Sequence, residues 1–235
     1  MTDPLLPILK EVWQTPGLLK QVYGDLAKPG VTQVGKALSS VLGLGNTILW
    51  PLSLLNEKAK IALEHNLEKY RKQLEVVPEE KIIPVSPEVG VPVSEKLSYV
   101  ADNELSDLYI NLLAKASTVD TASLAHPSFV NIINNLSPDE ALLLREVSNL
   151  IALPFITARW YQKNTNQWIQ VADLITDLEK SIKIVFSNNI VAYFSNFEGL
   201  GLVQIRRDIQ CVPVDVYSRL EAIYRPIFEA VPPPK

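Results

Sequence analysis

The residues best suited to nucleophilic or metal chemistry in this chain are one cysteine and two histidines, and they are far apart in sequence. Cys211 is the only cysteine, and His65 and His126 are the only histidines. A Cys–His nucleophile requires a thiolate in contact with an imidazole, and such a contact can form between residues that are distant in sequence. We keep that alternative open, although a buried structural thiol is the favoured interpretation.

No motif for a metal, a phosphate or a nucleotide accompanies these residues. Gly43 and Gly45 lack the third glycine and the preceding strand that a dinucleotide-binding turn requires. The acidic pair Asp139–Glu140 is typical of a helix N-terminus, where carboxylates are stabilised. We therefore expect no enzyme activity, no cofactor, no metal and no small-molecule substrate. An unrecognised hydrolase or nuclease remains a third possibility.

Composition predicts a folded, mainly helical protein. Of the 235 residues 47% are hydrophobic and 20% are charged, and 17 prolines against 9 glycines suit helices joined by stiff connectors. The net charge of −4 argues against nucleic-acid binding by global charge. The single cysteine favours a reducing compartment, and the start "MTDPLLPILKEVW" lacks a secretory pattern. We therefore expect a cytoplasmic location.

The segment "ALSSVLGLGNTILWPLSLLN", residues 37–56, carries no charge and is long enough for a helix to cross a bilayer core. Its polar side chains and Pro51 make a permanent span unfavourable. We interpret it as a buried soluble helix, with membrane contact after a conformational change as the alternative. The predicted interaction or membrane surface consists of Leu38, Leu42, Ile48, Leu49, Trp50 and Leu52.

Periodicity and proline content divide the chain into four segments. Residues 1–77 form an N-terminal helical region, in which residues 57–75 have one apolar stripe. Residues 78–95 contain four prolines and are predicted to be an extended connector. Residues 96–150 form a central helical region, with a strong helix start at "SPDE", residues 137–140. Residues 151–235 form an α/β module.

The α/β module has the predicted order of a winged helix. "FITARWYQ" and "QWIQV" are predicted strands around the turn "KNTN". Helices are predicted over "ADLITDLEKSIK" and "NNIVAYFSNFEGLGL", followed by a long strand or hairpin over "GLVQIRRDIQCVPV". "DVYSRLEAIYRPIFEA" is predicted as a final helix that is interrupted at Pro226.

A winged helix raises the alternative of a DNA-binding regulator. The expected recognition helix, residues 188–200, contains no Lys or Arg, whereas binding to the DNA backbone requires several cations. The candidate nucleic-acid contacts are Arg159, Arg206 and Arg207, which form at most a small basic patch. We therefore do not expect nucleic acid as a partner.

Several separated segments together resemble one protein family. These are "GKALSSVLGLGNTILWPLSLLNEKAKIALEHNLEKY", "VPEEKIIPVSPEVGVPVSEKLSYVADNELSDLYINLLAKAS" and "HPSFVNIINNLSPDEALLL". In this order they resemble the Abi-alpha proteins, named for bacterial abortive infection. The likeness covers about residues 30–150 and continues more weakly through "YFSNFEGLGLVQI". It implies phage defence in the cytosol and supplies no catalytic residues.

The leading prediction is therefore a mainly α-helical protein with a C-terminal α/β winged-helix-like module. We expect a non-enzymatic abortive infection factor that acts through protein–protein contacts, either with a partner or by self-association. Conditional membrane engagement on activation is part of this prediction.

Overall fold

The computed structural model describes residues 31–43, 57–162, 167–178, 182–210 and 215–230. Two compact units divide the chain, unit 1 with residues 1–138 and unit 2 with residues 139–235. The described residues are mainly helical, with one two-stranded antiparallel sheet in unit 2. The predicted fold class, mainly α with a C-terminal α/β part, is confirmed. The division into four segments stays a prediction.

Unit 1 is built from amphipathic helices. They are α1 Val31–Ala37, α2 Ser39–Gly43, α3 Glu57–Leu74, α4 Pro87–Leu97, α5 Asn103–Ala116 and α6 Ser128–Asn134, with short 3-10 turns at Glu79–Lys81 and Ala122–Leu124. The predicted apolar stripe of α3 is Leu63, Leu67, Tyr70 and Leu74. Leu67 is half-buried and the other three are buried. Helix α5 begins where the Asp102 carboxylate accepts a hydrogen bond from the Leu105 amide.

Several polar groups in the core of unit 1 are paired with groups from other helices. The Ser117 hydroxyl donates to the Leu113 carbonyl at 2.6 Å, so the buried Tyr70 hydroxyl must be the donor in its own hydrogen bond to Ser117. Burial raises the pKa of Tyr70. Asn66 donates its side-chain amide to the Leu97 carbonyl at 2.8 Å. These bonds remove the cost of burying polar atoms and fix how α3 lies against α4 and α5.

The prediction of an extended connector over residues 78–95 is wrong from Pro87 onward. Helix α4 spans Pro87–Leu97 and includes Pro92. Pro87 occupies the first helical turn, where its missing N–H has no helical partner to lose. Val89, Val93 and Leu97 recur every four residues and are buried. Burial of this apolar stripe outweighs the one backbone hydrogen bond that Pro92 removes.

The described part of the uncharged segment packs into the core of unit 1. Leu38 and Val41 are buried at 4% and 3% exposure. Val85 fixes the chain there, because its amide donates to the Ala37 carbonyl at 2.8 Å and its carbonyl accepts from the Ser40 hydroxyl. Residues 44–56 lie outside the described residues. Within the described ranges, no helix has the length and apolarity to cross a membrane.

Unit 2 contains α7 Pro138–Val147, strands β1 Ile156–Tyr161 and β2 Trp168–Ile175, a 3-10 turn at Ser187–Asn189, α8 Ile190–Gly199 and α9 Asp215–Glu229. Helix α7 begins at the predicted "SPDE" start. Strands β1 and β2 pair antiparallel on either side of "KNTN", as predicted. Helix α8 also follows the prediction and ends at Gly199.

Three predictions for unit 2 are wrong. Ala172–Ile175 extends β2 rather than beginning a helix, because these residues pair with β1. The described part of the predicted wing, residues 201–210, forms no strand, since no neighbouring strand supplies its hydrogen bonds. Helix α9 continues through Pro226, which removes one backbone bond without ending the helix. The hairpin thus precedes α8, and the winged-helix likeness stays a prediction.

Gly90 tests how α2 packs on α4. A Cβ at position 90 would overlap Val41 Cγ2 and lie 3.3 Å from Val85 Cγ1. We expect Gly90→Ala to lower the free energy of unfolding in urea by about 1–3 kcal/mol. In open space the same change in a helix stabilises by about 0.5–1 kcal/mol. A loss of stability would therefore indicate that the new methyl group meets close neighbours.

Gly199→Ala is the control, because a Cβ on Gly199 would meet no atom within 4 Å. Val41→Ala in the Gly90→Ala background should recover part of the loss by making room for the new methyl group. A Gly90→Ala protein as stable as the wild type would contradict the packing of α2 on α4.

Candidate binding groove

A β-bulge in strand β2 places the first polar group of the site. Ile156 pairs with Ile175 and Ala158 with Ala172, so Asp173 and Leu174 together lie opposite Thr157. Leu174 adopts φ 50°, a left-handed conformation that is uncommon for a bulky side chain. Bulges of this kind re-aim side chains and occur often beside functional sites.

The bulge turns the Asp173 carboxylate toward two donors. Thr157 donates its hydroxyl to Oδ1 at 2.6 Å, and Arg207 donates Nη2 to Oδ2 at 2.7 Å. Burial raises the pKa of Asp173, but these hydrogen bonds outweigh it and the pKa lies below its ordinary value. Leu174 is buried at 4% exposure. The bulge therefore ties the irregular segment 201–210 to the sheet.

A second buried carboxylate fixes helix α7 against helix α8 and the segment that precedes it. Asp139 accepts hydrogen bonds from the Val185 and Phe186 amides at 2.9 and 2.8 Å and from the Tyr193 hydroxyl at 3.0 Å. Burial raises the pKa of Asp139, but the three donors outweigh it and keep the pKa below its ordinary value. The next residue, Glu140, accepts from Asn196 at 2.7 Å.

A groove of about 880 Å³ lies within unit 2 among these elements. Helix α7 contributes Leu144 and Val147, and helix α8 contributes Phe194. Its lining also includes Leu150, Ile151, Ala152, Leu153, Pro154, Phe155, Ile156, Leu174, Leu202, Val203, Ile205, Ile209 and Tyr217, with the polar residues Ser148, Thr157, Arg159, Thr176, Gln204, Arg206, Arg207, Gln210 and Glu221. The lining combines a majority of apolar residues with polar and charged ones, and the groove volume suits a peptide segment or a small molecule.

The arginines predicted as nucleic-acid contacts all line this groove, but each already has an intramolecular contact. Arg206 donates two hydrogen bonds to Asp208, at 2.8 and 2.7 Å, which lower the pKa of Asp208 to about 2. Arg207 pairs with Asp173, and Arg159 lies over the Trp168 ring at 4.3 Å. Two of the three guanidinium charges are therefore balanced by carboxylates.

The predicted interaction surface in residues 37–56 is described only at its start. Leu38 is buried in the core of unit 1 and is not part of an exposed surface in this structure. The side chain of Leu42 and the residues Ile48, Leu49, Trp50 and Leu52 lie outside the described part. Their role stays a prediction.

The chemically reactive residues do not converge within the described residues. Cys211 lies outside them, and His65 is exposed on α3. His126 accepts a hydrogen bond from the Ser128 amide at 3.1 Å and so has a structural contact at the start of α6. In the part of the chain that the structure describes, no three His, Cys, Asp or Glu side chains are placed to hold a metal ion.

The tertiary roles of Asp139 and Asp173 were not predicted. A carboxylate at a helix start satisfies the local pattern whether or not it has distant partners, and the partners of Asp139 lie 46 to 54 residues away. The proline before Asp139 and the apolar residues after it gave no further signal. The bulge had none either, since Asp173 and Leu174 lie in a segment that was predicted to be a helix.

Comparison with known proteins gives one family. The family described as "Abortive infection alpha" matches residues 62–232 of this chain. The match begins within α3 and covers just over half of unit 1 and nearly all of unit 2. No curated protein and no solved structure matches the chain.

Asp139→Asn tests the carboxylate that fixes α7. The amide keeps the shape of the side chain but loses the negative charge and one acceptor oxygen, so we expect unfolding to become easier by about 1–3 kcal/mol near neutral pH. Glu64→Gln is the control, because it neutralises an exposed carboxylate on α3. Urea denaturation of both variants and the wild type measures the difference.

The loss of stability caused by Asp139→Asn should become smaller as the pH falls. Because the pKa of Asp139 is lower in the folded state, its contribution is complete above the unfolded value of about 4 and is lost as the pH falls through the folded value. The stability gap between wild type and Asp139→Asn should therefore close in acid. A gap that is absent at neutral pH, or that widens in acid, would show that the charge of Asp139 does not stabilise unit 2.

Proposed function

Because the chain belongs to the abortive infection alpha family, we propose that it is an anti-phage defence factor that acts by contact with another protein. The proposed partner contact is the groove of unit 2. Its occupant is an apolar segment of a partner protein, and self-association is the other outcome that a test would reveal. The proposed mode of action is binding rather than catalysis, in the cytoplasm.

The observation that carries the proposal is the exposed apolar rim of the groove. Ile151 is fully exposed, and Leu150 and Ile209 are 46% and 58% exposed. Apolar side chains that line one groove and remain in contact with water gain free energy when another surface covers them, by about 25 cal/mol for each Å² buried. Such a rim supports a protein-binding site.

The inner wall of the groove supports the same proposal. Phe194 and Leu174 are buried. The hydrogen bond of the adjacent Tyr193 to Asp139 and the bulge at Leu174 hold this wall in place. A groove wall that is fixed by internal hydrogen bonds requires less ordering of the protein on binding, which favours affinity. The balanced charges of Arg206 and Arg207 leave an apolar contact as the main source of binding free energy.

Membrane engagement remains a further part of the proposal and is supported by the uncharged residues 37–56. We propose that it is conditional on infection. Fractionation of cells before and after phage infection tests it, and we expect part of the protein to move to the membrane fraction after infection. Protein that stays in the supernatant throughout the infection would contradict this part.

A DNA-binding regulator is the alternative function and has less support. It would use Arg159, Arg206 and Arg207, which line one groove. Nucleic acid would have to compete with Asp208 and Asp173 for two of these guanidinium groups, and the net charge of −4 opposes binding to a polyanion.

Ile151→Asp tests the proposed function. A carboxylate on the groove rim cannot be covered by an apolar partner segment without a desolvation cost. In bacteria that carry the wild-type gene we expect fewer phage plaques than in bacteria without it. In bacteria with Ile151→Asp, that protection should fall by about ten-fold or more, as expected if binding weakens by ~1.4 kcal/mol.

Ile61→Asp is the matched control, since Ile61 is a 59% exposed isoleucine on α3 of unit 1 and not part of the groove. It should retain protection at an equal protein level. Protection that survives Ile151→Asp would overturn the groove as the site, and a wild-type gene that never protects against a panel of phages would overturn the defence function.

A further inference from the structure

We propose that the free end of the β1–β2 hairpin is a second binding site, which contacts the interface of an anionic lipid bilayer. The site consists of Arg159, Tyr161, Trp168 and Ile169. It is separate from residues 37–56, and it does not depend on the groove as a partner site. Its test uses the purified protein and is therefore independent of phage defence.

The hairpin changes from buried to exposed along its length. At its base, Leu174 and Ile175 are buried, whereas the first four residues of β2, Trp168 to Val171, are all exposed. Successive residues of a strand point to opposite faces, so both faces of the hairpin are in contact with water at this end. The hairpin end is thus not covered by the rest of unit 2.

The exposed side chains are of an unusual type for a protein surface. On one face Tyr161 and Trp168 are cross-strand neighbours with 64% and 48% exposure. On the other face Ile169 is 57% exposed. Trp and Tyr are the side chains enriched at the membrane–water interface, where the ring meets the acyl boundary and the polar atom meets the headgroups.

A positive charge lies beside these aromatic and aliphatic side chains. The guanidinium of Arg159 lies 4.3 Å from the Trp168 ring centre and is on the face that carries the two aromatic rings. From Thr157 to Ala172 the sequence contains two cations and no carboxylate. The first carboxylate after this stretch, Asp173, is paired with Arg207. The hairpin end is therefore a locally positive apolar surface on a chain of net charge −4, and it is complementary to lipid phosphate groups.

The backbone limits how deeply the hairpin can enter. Within the described residues the sheet has two strands. The N–H and C=O groups on its outer edges have no strand partner there and cannot be desolvated in the hydrocarbon core. The contact is therefore confined to the headgroup and acyl boundary, the depth that amphipathic surface segments occupy. Such a contact is reversible and requires both the apolar side chains and the cation.

Single-stranded nucleic acid is the other polyanion that binds aromatic rings and arginine, but the hairpin fits it less well. Continuous binding to a nucleic-acid backbone requires a row of cations. The aliphatic side chain of Ile169 cannot stack on a base, but it can be buried at the acyl boundary of a bilayer.

Co-sedimentation of the full-length protein with vesicles tests the proposal. We expect binding to vesicles of equal parts phosphatidylglycerol and phosphatidylcholine, weaker binding to phosphatidylcholine alone, and a decrease with added salt. Ile169→Asp should reduce partitioning to the anionic vesicles by about ten-fold, the effect of losing one buried aliphatic side chain and adding a repelled charge.

Ile227→Asp is the matched control, because Ile227 is 56% exposed on α9 of the same unit. It should bind vesicles like the wild type, and thermal unfolding by circular dichroism should show that both variants are folded. The proposal is overturned if the wild type fails to bind anionic vesicles or if Ile169→Asp binds as well as Ile227→Asp. It is also overturned if the protein binds a single-stranded oligonucleotide and no vesicle.

Discussion

The arrangement of unit 2 depends on one buried carboxylate that is shared between distant segments of the chain. Asp139, at the start of α7, accepts three hydrogen bonds, two from consecutive backbone amides before α8 and one from Tyr193 within α8. A buried charge without donors would be strongly destabilising, so α7 and α8 have little freedom to separate. Leu144 and Phe194, which line the groove, are carried by these two helices.

Strand β2 completes the site through a second constraint. Its bulge places Leu174 in the groove wall in a left-handed conformation and directs Asp173 toward Arg207. Residues 201–210 have no strand partner, and this ion pair helps to determine where they lie. The exposed end of the same hairpin carries the proposed lipid contact. Groove and hairpin end thus depend on the same short sheet and share Arg159, which lines the groove and contacts the Trp168 ring.

Local patterns predicted the helices but not the contacts that build the site. The stripe of α3, the "SPDE" start of α7 and the strand-like composition on either side of "KNTN" were sufficient, because spacing and local composition act within a few residues. The prolines led to the wrong prediction of an extended connector over Pro87–Leu97. This segment is a helix because it buries a stripe of valines. The strand predicted over residues 201–210 does not form, because a strand requires a neighbouring strand for its backbone hydrogen bonds. The partners of Asp139 could not be found from sequence, since the same residue also suits an ordinary helix start.

Amide hydrogen exchange at Val185 and Phe186 tests most directly whether Asp139 holds unit 2 together. If the carboxylate accepts both N–H groups, these two amides should exchange slowly in the wild-type protein although both side chains are exposed. In Asp139→Asn they should exchange much faster than in the wild type, while the amides of α5 in unit 1 keep their protection. Fast exchange at both amides in the wild type, or equal rates in the two proteins, would contradict the account.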